Sequence, residues 1–376
     1  MAESLQSLYR QLLKSHNYKP PSLTEWVKQR EATLAQLGIS AAEPEIDAEA
    51  THAISIGEPP INQEIGRLAN EIEHSASEWQ DMSLPCPVLC RAFPGVDFNA
   101  IAVPTSEGAL LLVNEGLVFL VYHCLEIWAR AANLPDCPEV PLLSSRDGLD
   151  AIVAGFVAYC EGAESWSQAG QRFPVLDGVR GSLVGRLAES TCRFVVGHEY
   201  GHVYAGHVTA GKRGAIELPT GVLDVIPTNW QEEYRADVLA MRLVLPPSRR
   251  TLDSDDQLLE AVVRVSGPMV FFPIAEILGW VSSFIDCHSR GIKVNQEILR
   301  KMTDRSTHPP PVLRIEQVRK WADVVGGSHT LEIGEQFLSW LTDCRKSIFS
   351  KVVGNLVDRK VCPPLEPLYG KKSKSP

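Results

Sequence analysis

Apolar residues recur at helical spacing along most of the chain. From Val118 onward the pattern predicts helices over about 118–132, 148–161, 184–207, 230–245, 255–266, 268–286, 311–323 and 334–357. Upstream, 58–82 predicts a further helix, and residues 1–45 hold two polar amphipathic patterns around the break KPPS. One stretch switches to a strand pattern: Phe98–Val103 and Ala109–Val113 flank a Pro/Thr/Ser/Glu/Gly turn, which is a hairpin signal. The connections 133–147, 208–229 and 287–310 are longer than structureless loops usually run. The outline is α+β and mostly helical, with a small early β-sheet. It divides into an N-terminal helical arm (1–57), a main domain (58–325), and a C-terminal helix with a polar tail (326–376). No repeat at solenoid or propeller period is visible.

Composition narrows the function classes. Hydrophobic residues at 44% and charged ones at 22% suit a protein with a full core. A formal charge of −10, with no basic stripe interleaved with aromatics, argues against a nucleic-acid partner. Nine scattered cysteines, an odd number, suggest reduced thiols and a cytoplasmic protein rather than a disulfide framework. Cys86 and Cys90 find no second pair at zinc-ribbon spacing. The first residues lack the apolar core of a secretory signal. The longest apolar stretch, Gly267–Ile285, carries Pro268, Pro273 and Glu276, so it is expected to be a buried core helix and not a membrane span.

The segment RFVVGHEYGHVYAGH, Arg193–His207, carries the candidate chemistry. His198, Glu199 and His202 form H-E-x-x-H. On a helix the two histidines stand one turn apart and can reach one ion, with Glu199 beside them as a general base. Leu183, Leu187, Phe194 and Val195 recur near helical spacing, and no proline interrupts 175–218. Gly201 is a poor helix former, which suggests close packing against another element. His207 falls one residue short of the metzincin position and would point away on a continuing helix, so it reads as a surface or outer residue. The third ligand is sought in NWQEEYRADVLAMRLVLPP. Glu233 could supply a carboxylate, Asp237 one turn on could fix a histidine tautomer, and Ala236 and Ala240 leave room for close packing. Two His, one Glu and an open fourth position make the ligand set of catalytic zinc. The bland alternative is a solvated EEYRAD face and two packed core histidines.

His198–His202 followed by Glu233–Asp237 resembles the gluzincin metallopeptidases, and most of all soluble relatives of the CAAX-prenyl and heat-shock membrane endopeptidases. FNAIAVPTSEGALLLVNEGL is similar to that superfamily's N-A-F-A-x-P hairpin at Asn99, Ala100, Ala102, Pro104 and Gly116. STHPPPVLRIEQV is similar to its S-x-H-P-P-x-x-x-R-I segment at His308, Pro309, Pro310, Arg314 and Ile315. Phage-exclusion and repressor-cleaving zinc peptidases share the two metal blocks. The resemblance implies a zincin-like domain with two metal-ligand helices, Zn²⁺ on His198, His202 and Glu233, and a protein or peptide substrate. It implies His308 and Arg314 as stabilisers of the oxyanion, while Tyr204, Tyr234 and His207 are candidates by proximity. The strand beginning at Asn99, Ala100 and Ile101 would take extended substrate by strand addition. The competing expectation is a non-catalytic, metal-binding regulator, which a fourth protein ligand, His207 or His308, would favour.

Overall fold

A computed structural model of the chain describes residues 4–22, 24–25, 48–95, 97–134, 142–161, 176, 178–208, 214–218, 221–225, 230–249, 254–291, 308–325 and 331–359. Among the described residues three helices lead: α1 (Leu5–Ser15), α2 (Ala48–Ser55) and α3 (Asn62–Ser77). Strands β1 (Val88–Phe93), β2 (Ala100–Thr105) and β3 (Gly108–Asn114) follow, then α4 (Glu115–Ala131), α5 (Ser145–Glu161) and α6 (Gly178–Tyr204). A separate hairpin, β4 (Gly214–Leu218) and β5 (Gly221–Val225), precedes α7 (Trp230–Val244). The last helices are α8 (Asp255–Ser289), α9 (Pro311–Val325) and α10 (Glu332–Asp358). The fold is therefore mostly helical with a small mixed sheet, as the hydrophobic pattern predicts.

The sheet has the order β1-β3-β2. The predicted hairpin is present as antiparallel β2 and β3, with Thr105 opposite Gly108 at the turn. The sequence reading missed β1, which pairs with β3 in parallel from Val88↔Ala109 to Phe93↔Asn114. Alternation sorts the side chains of β3: Ala109, Leu111 and Val113 enter the main core, and Leu110 and Leu112 face the other way. That second face is not open to water. Tyr9 and Leu13 of α1 pack on it together with Phe93 and Val103. Tyr9 donates its hydroxyl to the Ala92 carbonyl at 2.8 Å, and Asn62 Oδ1 accepts from the Ala92 N–H at 2.8 Å, so the outer edge of β1 is tied down there. The predicted arm is thus, over α1, a layer of the fold. At the other end, α9 and α10 both pack on α8, on either side of the expected boundary at residue 326.

The break expected at Gly267-Pro268 does not occur. Helix α8 runs unbroken for 35 residues with Pro268 and Pro273 inside it. Proline has no N–H to give to the carbonyl four residues back, which usually kinks or ends a helix. Here Ser190 of α6 donates its hydroxyl to that carbonyl, Arg264 O, at 2.8 Å. Gly267 serves the same crossing, because a Cβ there would come within 2.5 Å of the Ser190 carbonyl oxygen. Both supposed breakers are therefore contact residues. Ser190→Ala should leave the Arg264 carbonyl buried without its partner and cost about 1–3 kcal/mol. Denaturant unfolding checks this, and an unchanged midpoint would mean the carbonyl is satisfied without Ser190. By length and composition α8 could cross a membrane, but 89% of its most apolar window is buried inside the protein.

Helix α6 runs through the middle, in contact with α3, α4, α7, α8 and the sheet. Such a position demands burial on nearly every side, and from Ser190 to Val203 all its residues are buried. The arginine in that stretch is neutralised locally. Arg193 pairs with Glu71 of α3 at 3.1 Å and with Glu189 one turn back at 2.5 Å. Every cysteine among the described residues is a free thiol.

Candidate metal centre

Two helices carry the candidate ligands, and their spacing is set by small residues. His198, Glu199 and His202 lie in the last two turns of α6, and Glu233 and Asp237 in the first two of α7. A Cβ on Gly201 would stand 2.7 Å from the Ala236 carbonyl oxygen and 3.0 Å from its Cα. One turn earlier, Gly197 would bring a Cβ to 3.5 Å from the Ala240 Cα. The two backbones touch at these positions, which is why a residue costing about 1 kcal/mol in a helix is used at Gly201. The close packing expected at Gly201 is present, against Ala236, and Ala240 makes the matching contact with Gly197.

This contact brings three ligand side chains together. His198 Nε2 and His202 Nε2 are 3.1 Å apart. Glu233 Oε2 lies 3.4 Å from the first, and Glu233 Oε1 lies 3.4 Å from the second. Nitrogen and oxygen ligands at about 2.0–2.1 Å from a tetrahedral ion stand about 3.3 Å from one another. Each imidazole nitrogen has a Glu233 oxygen near that edge length, a different oxygen for each ring. His198, His202 and Glu233 are all buried and form a group that could hold a metal ion.

Each ligand is held from behind. His198 Nδ1 donates to Asp237 Oδ1 at 2.9 Å, leaving Nε2 for the ion. Asp237 in turn accepts from Arg314 Nε at 2.7 Å and Nη2 at 2.6 Å. The same guanidinium stands over the Phe272 ring at 4.5 Å and puts Nη1 3.5 Å from Glu233 Oε2. Burial alone would raise the Asp237 carboxyl, but Arg314 and then His198 hold it below its usual range. Burial likewise works against ionised Glu233, and His308, His198 and His202 outweigh it and hold the group well down. For His198, burial favours the neutral ring, yet its bonds to Asp237 and Glu233 lift it to about 9. Glu199 goes the other way. Burial, aided by Glu233, raises it against the pull of His198 and His202.

Of the two places expected for His207, surface or outer, it takes the outer one, by a turn the sequence reading did not foresee. The helix does not continue to it: α6 ends at Tyr204, and Gly206 takes a left-handed φ of 70°. Gly206 N–H then bonds to Val203 O at 2.9 Å, and His207 N–H to His202 O at 2.9 Å. This crossed pair is a Schellman ending, and it folds the chain back over the last turn. The His207 ring is buried and sits 2.9 Å, Nδ1 to Nδ1, from His202. It is an outer partner of a ligand, not a surface residue. The legible signal was the glycine two positions past the helix end.

The remaining candidates are less uniform. His308 sits at the rim, its side chain 40% exposed and Nε2 3.5 Å from Glu233 Oε1. Arg314 is buried, with Nε and Nη2 given to Asp237. Tyr204 lies beside Tyr200, ring centres 6.2 Å apart, at the helix end. Tyr234 is half-buried on α7. Asn99 is exposed and precedes β2, while Ala100 and Ile101 are in it, opposite Val113 and Leu112. As an outer strand of the three, β2 runs close to α6, and β5 lies beside it. Compared with family models, curated proteins and solved structures, the chain matches none.

Proposed function

We propose that the protein is a zinc-dependent endopeptidase on a zincin-like fold. The observation that carries this reading is the buried His198–His202–Glu233 group, which could hold a metal ion, with the carboxylate of Glu199 in the same helical turn. Two imidazoles and one carboxylate are the ligand set of catalytic zinc sites. When bound, zinc would polarise a substrate carbonyl and lower the pKa of a water. Glu199 takes the proton from the attacking water and returns it to the leaving amine. A carboxylate raised by burial suits both halves of that task. Arg314 acts through Asp237 and His198, so we assign stabilisation of the oxyanion to His308, the half-exposed group at the rim. Strand β2 takes the substrate main chain, which admits many sequences.

A metal-binding regulator is the second reading, favoured by how little of the triad is exposed. One comparison separates the two. New protein N-termini should accumulate in cells making the wild-type protein and not in cells making Glu199→Gln. Equal profiles, with zinc bound in both, would leave the regulator.

A further inference from the structure

The two histidine ligands lean on different partners. His198 has a carboxylate behind it, and His202 has a second imidazole. A hydrogen bond between His202 Nδ1 and His207 Nδ1 needs one proton and one lone pair, so one ring donates and the other accepts. A metal at the triad decides which. Ligation through Nε2 uses that lone pair, so neutral His202 carries its proton on Nδ1. That proton points at His207, whose Nδ1 must be bare and whose own proton sits on Nε2. With the roles reversed, the His202 proton would sit on Nε2, 3.1 Å from His198 Nε2 and 3.4 Å from Glu233 Oε1, where the ion belongs.

We propose that His207 is a positioning residue of the metal centre. By accepting the Nδ1–H of His202 it holds that ligand in the one tautomer that offers Nε2 to the ion. The main chain places the ring: the His207 N–H bond to His202 O and the left-handed Gly206 return it to the residue it serves. The residue is 6% exposed, so water is a poor competitor for the same proton. His207 thus does for His202 what Asp237 does for His198, without adding a second negative charge. The inference rests on the metal reading of the triad and not on peptidase activity.

The test is zinc affinity of the full chain, measured by competition with a chromogenic chelator. Asn and Gln separate the acceptor from the ring, because the Asn carbonyl falls where Nδ1 was and the Gln carbonyl reaches one bond too far. His207→Asn should bind zinc within about threefold of wild type. His207→Phe, which keeps the volume, and His207→Gln should each lose about 10- to 100-fold, the usual effect of removing a ligand's outer partner. Circular dichroism and the melting midpoint of the metal-free proteins show that the fold is kept. Wild-type affinity in His207→Phe, or a loss in His207→Asn as large as in His207→Phe, overturns the proposal alone. A wild-type protein that binds no zinc overturns the metal reading and this proposal with it.

Discussion

Glu233→Ala should leave a protein without stoichiometric zinc, whereas Glu199→Gln should keep its zinc and lose cleavage. The two carboxylates are 34 residues apart (233 − 199) but share one site, so the contrast is between kinds of contact. Glu233 is wholly buried and closes the triangle with the two imidazoles, and alanine leaves only two ligands. Glu199 is not needed to complete the triangle. An amide in its place cannot accept the water's proton, and loss of a general base costs about 10²- to 10⁴-fold in rate. Metal analysis after gel filtration and turnover of a quenched peptide read the two effects separately. Full zinc in Glu233→Ala would sink the ligand assignment. A near-normal rate in Glu199→Gln would sink the base.

The second large effect belongs to Asp237. Its carboxylate and Arg314 are both buried and joined by two hydrogen bonds, so removing one strands the other. Breaking a buried pair from one side costs about 3–5 kcal/mol. Asp237→Ala should therefore destabilise the protein by about that amount, and should also weaken zinc binding about 10- to 100-fold through His198. The double variant Asp237→Ala with Arg314→Met should recover much of the stability, since neither half of that pair is left without the other. It should not recover the affinity, since His198 still lacks its acceptor. Stability and affinity returning together would contradict the separate roles.

Much of this site was legible because its signals are local. The spacing of His198 and His202, the carboxylate pair Glu233 and Asp237, and the small residues Gly201, Ala236 and Ala240 all follow from helical geometry. The hairpin of β2 and β3 announces itself by its turn. What was missed depends on partners distant in sequence. A parallel strand such as β1 has no turn to mark its pairing, and VLCRAF alternates weakly. Pro268 reads as a helix end until Ser190, 78 residues earlier (268 − 190), supplies the missing hydrogen bond. His207 looks misplaced because the metzincin spacing presumes a different turn from the one Gly206 makes. Arg314 could be found by resemblance, but its attachment to Asp237 depends on α9 lying against α7.

The placement of α1 decides how short this protein can be made. Read as part of an arm spanning 1–57, the first 47 residues invite removal. Yet Tyr9 and Leu13 cover Phe93, Val103, Leu110 and Leu112, and the Tyr9 hydroxyl completes the bonding of Ala92. A chain begun at residue 48 would present that apolar sheet face to water, together with a strand edge robbed of one of its ties. Such a truncation should collect as aggregates. Tyr9→Phe, which gives up the hydroxyl but keeps the ring over the sheet, should stay dispersed.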